Sequence, residues 1–443
     1  SNASAGPVTV QVASANGTAT AGSDYAALAA TTVTFAPGET SKTVTVAITE
    51  DTVYEGAESY TVNLSGATGG ATASAGMTIY YLANGGIASG VGASSNAAGN
   101  LVFVSNTAVN QGGILTWQGL TNQSTDRLFT MGLGTLAARI NASGALIGTT
   151  APTLTFSNTE AIVFTGNGTR TLTLGGTTIS DNTFRLKITD QGGATSLAKV
   201  DGGMWVIDPS AGNTYTGGTT ITDGTLGVGN NAALSTGTLT MNNFSILQAA
   251  SSGLTLANSI IVNSGERIDS GSGIFTLNGN ISGAAGSVSQ VGTGNLVLNG
   301  NNSFAKGLGI NVYGSTVTLG TNTAAGTGNI AINDGGILAA GVSGLVIANN
   351  IDTTGGGRID SGAGIFTVNG NIGDVGSISQ VGTGNLVLNG NNNFTAGLGI
   401  NQGTVTLGTN KSAGAGVITL NATGTLAAGV SGLVVSNNIE TTG

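Results

Sequence analysis

From about residue 200 onward this chain repeats itself with a period near 90 residues, and that property limits its fold more than any other. Val291-Gly-Thr-Gly-Asn-Leu-Val-Leu-Asn-Gly300 returns as Val381 to Gly390, an offset of 90. Ser252-Gly-Leu-Thr-Leu-Ala-Asn258 returns in altered form from Ser343 and again from Ser431, offsets of 91 and 88, and Arg267 to Thr276 returns as Arg358 to Thr367. Lys199-Val-Asp-Gly-Gly-Met-Trp-Val-Ile-Asp208 is a diverged first copy of Gln290 to Asn299. Units of this kind bury their apolar faces against one another, so the array grows as a stack.

Each unit consists of short Thr/Val/Leu/Ile runs bounded by Gly or Asn, with no segment of helical period between them. One coil of a parallel β-helix takes roughly 20 to 25 residues, so a unit is expected to hold about four coils. Stacked at about 4.8 Å per coil, some 340 residues make a rod of roughly 70 Å. Val, Leu and Ile would fill the narrow interior, Gly and Asn would turn the corners, and Asn or Thr would stack in ladders from coil to coil. A charge at the same corner of every coil would repel its copies, which accounts for the scarcity of charge.

That scarcity also excludes functions. Only 7% of the 443 residues are charged, 11 basic against 20 acidic for a net charge of −9, and the basic residues are scattered. No basic patch exists for a phosphate backbone, so nucleic acid is not an expected partner. The chain has no cysteine and no histidine, which removes zinc sites, Cys/His pairs and Ser/His/Asp triads. No apolar run approaches the roughly 20 residues that span a bilayer, so no membrane insertion by this segment is expected. A cysteine-free, acidic, Gly/Thr/Asn/Ser-rich repeat chain fits a protein exported to the bacterial exterior, and an extracellular, outer-surface location is expected.

Ahead of the repeats the pattern differs. Val8 to Val12, Thr32 to Phe35, Thr43 to Ile48 and Tyr60 to Leu64 alternate apolar and polar residues with turn residues between them, the signature of antiparallel strands with one buried face. Residues 1–82 therefore read as a partial β-sandwich. Residues 83–100, rich in Gly, Ala and Ser and without charge, read as a linker or irregular cap. Residues 101–443 read as the solenoid, so the expected fold class is all-β.

Two resemblances add to this. Gly17 to Tyr25 (GTATAGSDY), Val33 to Val44 (VTFAPGETSKTV) and Glu50 to Tyr60 (EDTVYEGAESY) resemble, in order, the motifs of the Calx-β domain. In that family the acidic residues of these motifs bind calcium at one end of the sandwich. The resemblance implies Asp24, Glu50, Asp51, Glu55 and Glu58 as ligands, with the carbonyl of Val53 as a possible extra. Calcium takes six to eight hard oxygens, and Glu50 to Glu58 holds the densest acidic cluster in the chain. The copy departs from the family where an acidic closing run is replaced by Met77-Thr-Ile-Tyr-Tyr-Leu-Ala83, which implies fewer ligands and weaker calcium binding. Farther along, Phe164 to Gly175 and Asn213 to Leu226 (NTYTGGTTITDGTL) resemble the autotransporter-associated β-strand repeat. That family implies a right-handed parallel β-helix shown outside the cell as an adhesin or stalk.

Remaining candidates carry less. Asp181 with Asp190, or Glu266 with Asp269, could be the paired carboxylates of a glycoside hydrolase. Arg267 and Asp269 recur as Arg358 and Asp360, however, and a recurring pair favours a structural corner or stacked ion pair. Trp117 and Trp205 could line a sugar-binding face or fill the core. The expected function is a non-enzymatic, adhesive stalk that meets host-cell, matrix or self surfaces. The alternative is a self-associating filament or matrix subunit joined by strand complementation, and a polysaccharide-degrading enzyme comes last.

Overall fold

The computed structural model describes residues 7–36, 42–49, 60–65, 76–87, 89–103, 112–144, 151–421 and 423–442. Its first part is antiparallel: Val8–Asn16 lies between Thr31–Phe35 and Tyr60–Ser65. Tyr25 is buried beside this sheet, stacked on Tyr60 with ring centroids 4.3 Å apart, and its hydroxyl donates to Asn16 Oδ1 at 2.7 Å. Thr43 to Ile48 does not form the expected regular strand. It makes one antiparallel bridge, Ile48 to Tyr25, and a backbone bond from Ala26 N to Ala47 O. Among the described residues its partner is the three-residue stretch Asp24 to Ala26 that follows the turn at Gly22, too short to carry a ladder.

From Gly76–Ile79 onward every strand pairing is parallel. The stretch Met77 to Ile79, which stands where the Calx-β pattern has acidic residues, pairs with Leu115 to Trp117 of the solenoid. Some 15 turns follow, each visiting three faces in fixed order. Face one carries nine strands from Gly76–Ile79 to Ile281–Ser282 and, after a gap, five from Leu345–Ile347 to Thr425–Ala428. Face two carries twelve, Gln123–Thr125 to Ile372–Gly373. Face three carries three, Val102–Phe103 to Val163–Phe164, and after a gap ten, Leu254–Leu256 to Ile439–Thr442.

Alternation along each strand builds the interior. In Asn295–Leu298 and Thr316–Leu319, Leu296, Leu298, Val317 and Leu319 point inward without measurable exposure while their neighbours face out. Burying each such side chain stabilises the stack by about 1.5–3 kcal/mol. The early turns use larger groups: Phe103, Phe129, Phe156, Phe184 and Trp205 form an aromatic column with centroids 5.2–6.4 Å apart.

The repeat, expected to hold about four coils, holds four and a third. From Leu254–Leu256 to its copy Leu345–Ile347 the chain visits the faces thirteen times, four turns and one further face. The original lies on face three and the copy on face one. Likewise Gly265–Asp269 lies on face two and its copy Gly357–Asp360 on face three. A coil of about 21 residues, the separation of paired residues such as Leu296 and Val317, does not divide the repeat evenly. Each unit is therefore turned by about a third of a revolution relative to the one before.

Candidate calcium site and repeat corners

Of the residues the Calx-β resemblance implies as calcium ligands, the structure describes Asp24; Glu50, Asp51, Val53, Glu55 and Glu58 lie outside the described residues. Asp24 is half-buried, and its Oδ2 accepts the Thr20 amide at 2.5 Å, closing the 20–25 turn. Its backbone carbonyl accepts the Thr49 amide at 2.9 Å. That bond sets Asp24 beside Thr49, the residue that precedes Glu50 in the sequence. Among the described residues no three acidic side chains converge as a metal cluster.

Residues 80–87 and 89–100 wrap the first turns mainly through side-chain hydrogen bonds, with one backbone bond from Leu128 N to Asn96 O at 3.0 Å. Arg127, fully buried, donates to the carbonyls of Ala83 (3.2 Å), Gly92 (2.9 Å) and Ser95 (3.4 Å) and to Ser94 Oγ (3.0 Å). Asp126 accepts the Gly85 amide at 2.7 Å, and Gln123 Oε1 accepts both the Leu82 amide at 2.6 Å and Trp117 Nε1 at 2.8 Å. Burial, partly offset by Asp126, lowers the Arg127 pKa below its ordinary value. Sequence reasoning missed Arg127. Its signal was available, since a basic residue is rare in this chain.

Of the other candidate carboxylates, Asp190, Glu266 and Asp269 hold hydrogen bonds within the turns. Asp190 accepts the Thr195 amide (2.7 Å), the Thr216 amide (3.3 Å) and Thr216 Oγ1 (2.6 Å). Partial burial raises its pKa, but these bonds outweigh it and hold the carboxyl below its usual range. Asp181 is exposed. Glu266 points into the core and Asp269 outward, so the two share no cleft. Asp269 Oδ1 accepts the Gly271 amide at 2.8 Å, as Asp360 Oδ1 accepts that of Gly362 at 2.8 Å. Arg267 and Arg358 donate to the carbonyls of Phe244 and Gly335 one turn back, at 3.0 and 2.6 Å through Nη2. They hold corners and form no ion pair with these aspartates. Trp117 and Trp205 are core residues without measurable exposure, and Trp205 Nε1 donates to Gly175 O at 2.9 Å.

Two inward polar positions recur once per unit. Asn213, Asn302 and Asn392 bridge the gaps where a face lacks a strand. Their Oδ1 atoms accept the amides of Ile188, Ile281 and Ile372 at 2.8, 2.7 and 2.7 Å, and their Nδ2 atoms each donate at 2.6 Å, to Ala233, Ala324 and Ser412. At the second position stand Lys199, Gln290 and Gln380, on faces one, two and three. Lys199 Nζ donates to the carbonyls of Val200, Asp201 and Asp223 at 2.8, 2.6 and 3.0 Å, and burial lowers its pKa to about 8. Gln290 and Gln380 each donate at 2.5 Å to a serine of the previous turn, Ser270 and Ser361.

Comparison with known proteins follows the same division. Residues 2–83 match the Calx-beta domain. Residues 197–228, 288–311 and 378–407 match the Passenger-associated-transport-repeat, each match starting within two residues of Lys199, Gln290 or Gln380. Over 199 residues, 44% of the chain, it is 37% identical to the Adhesin BmaC autotransporter of Brucella suis biovar 1 (strain 1330), of which it spans only 5%. No solved structure matches the chain. Similarity and fold thus coincide: a segment like the Calx-beta domain leads into a parallel solenoid whose units, each turned by a third of a revolution, are like the Passenger-associated-transport-repeat.

Proposed function

We propose that the chain is a non-enzymatic, adhesive stalk segment of an autotransporter passenger on the outer bacterial surface. The similarity to the Brucella adhesin carries this proposal, and the form of the solenoid supports it. A single apolar column through some 15 turns resists bending, and a third-turn rotation per unit sets the same surface features on all three faces. Such a rod can meet a host-cell or matrix surface in any rotational orientation.

The N-terminal segment extends the proposal. Calx-beta domains are associated with calcium binding, and Asp24 with Glu50, Asp51, the Val53 carbonyl, Glu55 and Glu58 would hold the ion weakly. Calcium would stiffen that segment where it joins the rod.

The test is retention of cultured cells and of immobilised matrix proteins by the purified chain, with electron microscopy of the same preparation. Single rods that hold cells above an unrelated solenoid support the proposal. Rods that hold nothing refute the adhesive part, and regular fibres would replace it with an assembling subunit. A melting temperature unmoved by millimolar calcium would remove the ion.

A further inference from the structure

Two adjacent structural demands place a chemically labile dipeptide on the surface of the rod. The first is the asparagine ladder: Asn299 Nδ2 donates to Asn278 Oδ1 at 2.8 Å, and in the next unit Asn389 Nδ2 donates to Asn369 Oδ1 at 2.8 Å. All four side chains are exposed. The second is close packing of the corner that follows. A Cβ on Gly279, Gly300, Gly370 or Gly390 would stand 1.9, 2.3, 2.0 or 2.3 Å from a carbonyl oxygen of the turn beneath, so only glycine fits. Asparagine is required by the ladder and glycine by the corner, and together they spell Asn-Gly four times.

Asn-Gly is the sequence in which a backbone amide most readily attacks the preceding side chain, because glycine offers no steric hindrance. Among the described residues the amides of Gly279, Gly300, Gly370 and Gly390 donate to no backbone or side-chain acceptor, which leaves the nucleophile uncommitted. From this we infer that Asn278, Asn299, Asn369 and Asn389 are sites of spontaneous deamidation in the folded chain. The glycine nitrogen bonds to the asparagine Cγ, the Cγ–Nδ2 bond breaks, and ammonia leaves with the proton from the glycine nitrogen. Water then opens the succinimide at either carbonyl to give aspartate or isoaspartate, with no oxidant or reductant involved.

The ladder makes the consequences unequal. Asn278 and Asn369 are acceptors, and as aspartates they still accept, now with charge assistance. Asn299 and Asn389 are donors, and conversion sets their new oxygen against the oxygen of Asn278 or Asn369. Isoaspartate also adds a backbone carbon at a corner with no room for a methyl group. Ageing of the exposed protein therefore adds negative charge at both ladder positions and loosens the stack from the donor sites.

Three other ladders supply an internal control, since Asn242–Asn263, Asn311–Asn333 and Asn401–Asn421 make the same bond at 2.9, 2.9 and 2.7 Å with no glycine following. The test holds the folded chain at mildly alkaline pH, maps it by peptide mass spectrometry and labels it with an isoaspartyl methyltransferase. Conversion several-fold faster at the four Asn-Gly sites than at the six control asparagines is expected. Equal rates, or conversion in the denatured chain alone, would overturn the inference. Asn299→Asp and Asn389→Asp should lower the melting temperature while Asn278→Asp and Asn369→Asp leave it unchanged; equal effects would refute the inequality.

Discussion

The early and late turns of the solenoid solve one packing problem in different ways. Up to about Ile207 the interior is individual: an aromatic column ending at Trp205, the buried cations Arg127 and Lys199 answered largely by backbone carbonyls, and Arg170, which donates to the Gly166 carbonyl and lies over the Phe164 ring. Beyond about Tyr215 the interior is more nearly uniform, with Glu266 the one fully buried charged side chain among the described residues. Leu296 and Leu386 stand where Trp205 stands, Gln290 and Gln380 replace Lys199, and Phe304 and Phe394 replace Tyr215. The early turns must also accept residues 80–87 and 89–100, which attach mainly through side chains, whereas a late turn meets only its own likeness. Identical neighbours permit small, interchangeable groups; an irregular boundary calls for particular ones.

Trp205→Ala should give the largest effect. It opens a cavity against Phe184 and removes the bond to Gly175 O, a loss of about 3–5 kcal/mol. Thermal melting would report the total, and hydrogen exchange should place the loosening in the early turns. If exchange rises equally along the whole rod, the contrast between early and late turns is wrong.

Lys199 gives the next effect, and its sign depends on pH. Folding lowers its pKa from 10.5 to about 8, so at neutral pH both states carry the proton and the folded state bears the full cost of a buried charge. Between pH 8 and 10.5 the unfolded chain holds a proton that the folded chain has released, and stability rises by at most about 3 kcal/mol. Lys199→Gln, which installs the residue of the later units, should remove this rise. Chemical denaturation of both proteins across that range checks it, and parallel curves would show that the ammonium is not buried in solution.

Asn302→Ala removes a bridge across a gap and leaves the Ile281 amide and the Ala324 carbonyl without their partner, at a cost of about 2 kcal/mol. The same change at Asn213 and at Asn392 should cost the same to within about 0.5 kcal/mol, because the three sites are far apart and alike. Three denaturation curves test whether the units are equivalent despite lying on different faces. Widely different losses would mean that rotation changes the environment.

The solenoid was legible in the sequence because its copies are spelled almost alike, and the antiparallel start because Val8 to Val12 and Tyr60 to Leu64 alternate. The rotation was not legible. It follows from the length of a coil, and the coil has no signature apart from strands such as Asn295–Leu298 and Thr316–Leu319 whose pairing only the structure reveals. Thr43 to Ile48 reads as a strand by its own pattern, yet a strand needs a partner of equal length, and among the described residues it meets only Asp24 to Ala26. The docking of residues 80–100 depends on Arg127, more than 25 residues farther on, a link that local composition does not carry.

The smallest effect belongs to the outer ladders and bounds the comparison from the other side. Asn263→Ala removes one exposed bond, Nδ2 to Asn242 Oδ1 at 2.9 Å, and water replaces it, so the loss should be about 0.5 kcal/mol. Inside the rod the same residue type has no water to fall back on, which is why Asn302 should cost several times more. Exchange rates at Asn263 and Ser264 would show the local change even where melting does not. If Asn263→Ala proves as damaging as Asn302→Ala, the turns are held together from their surface as much as from their core, and the uniform interior of the late units is not what sets their stability.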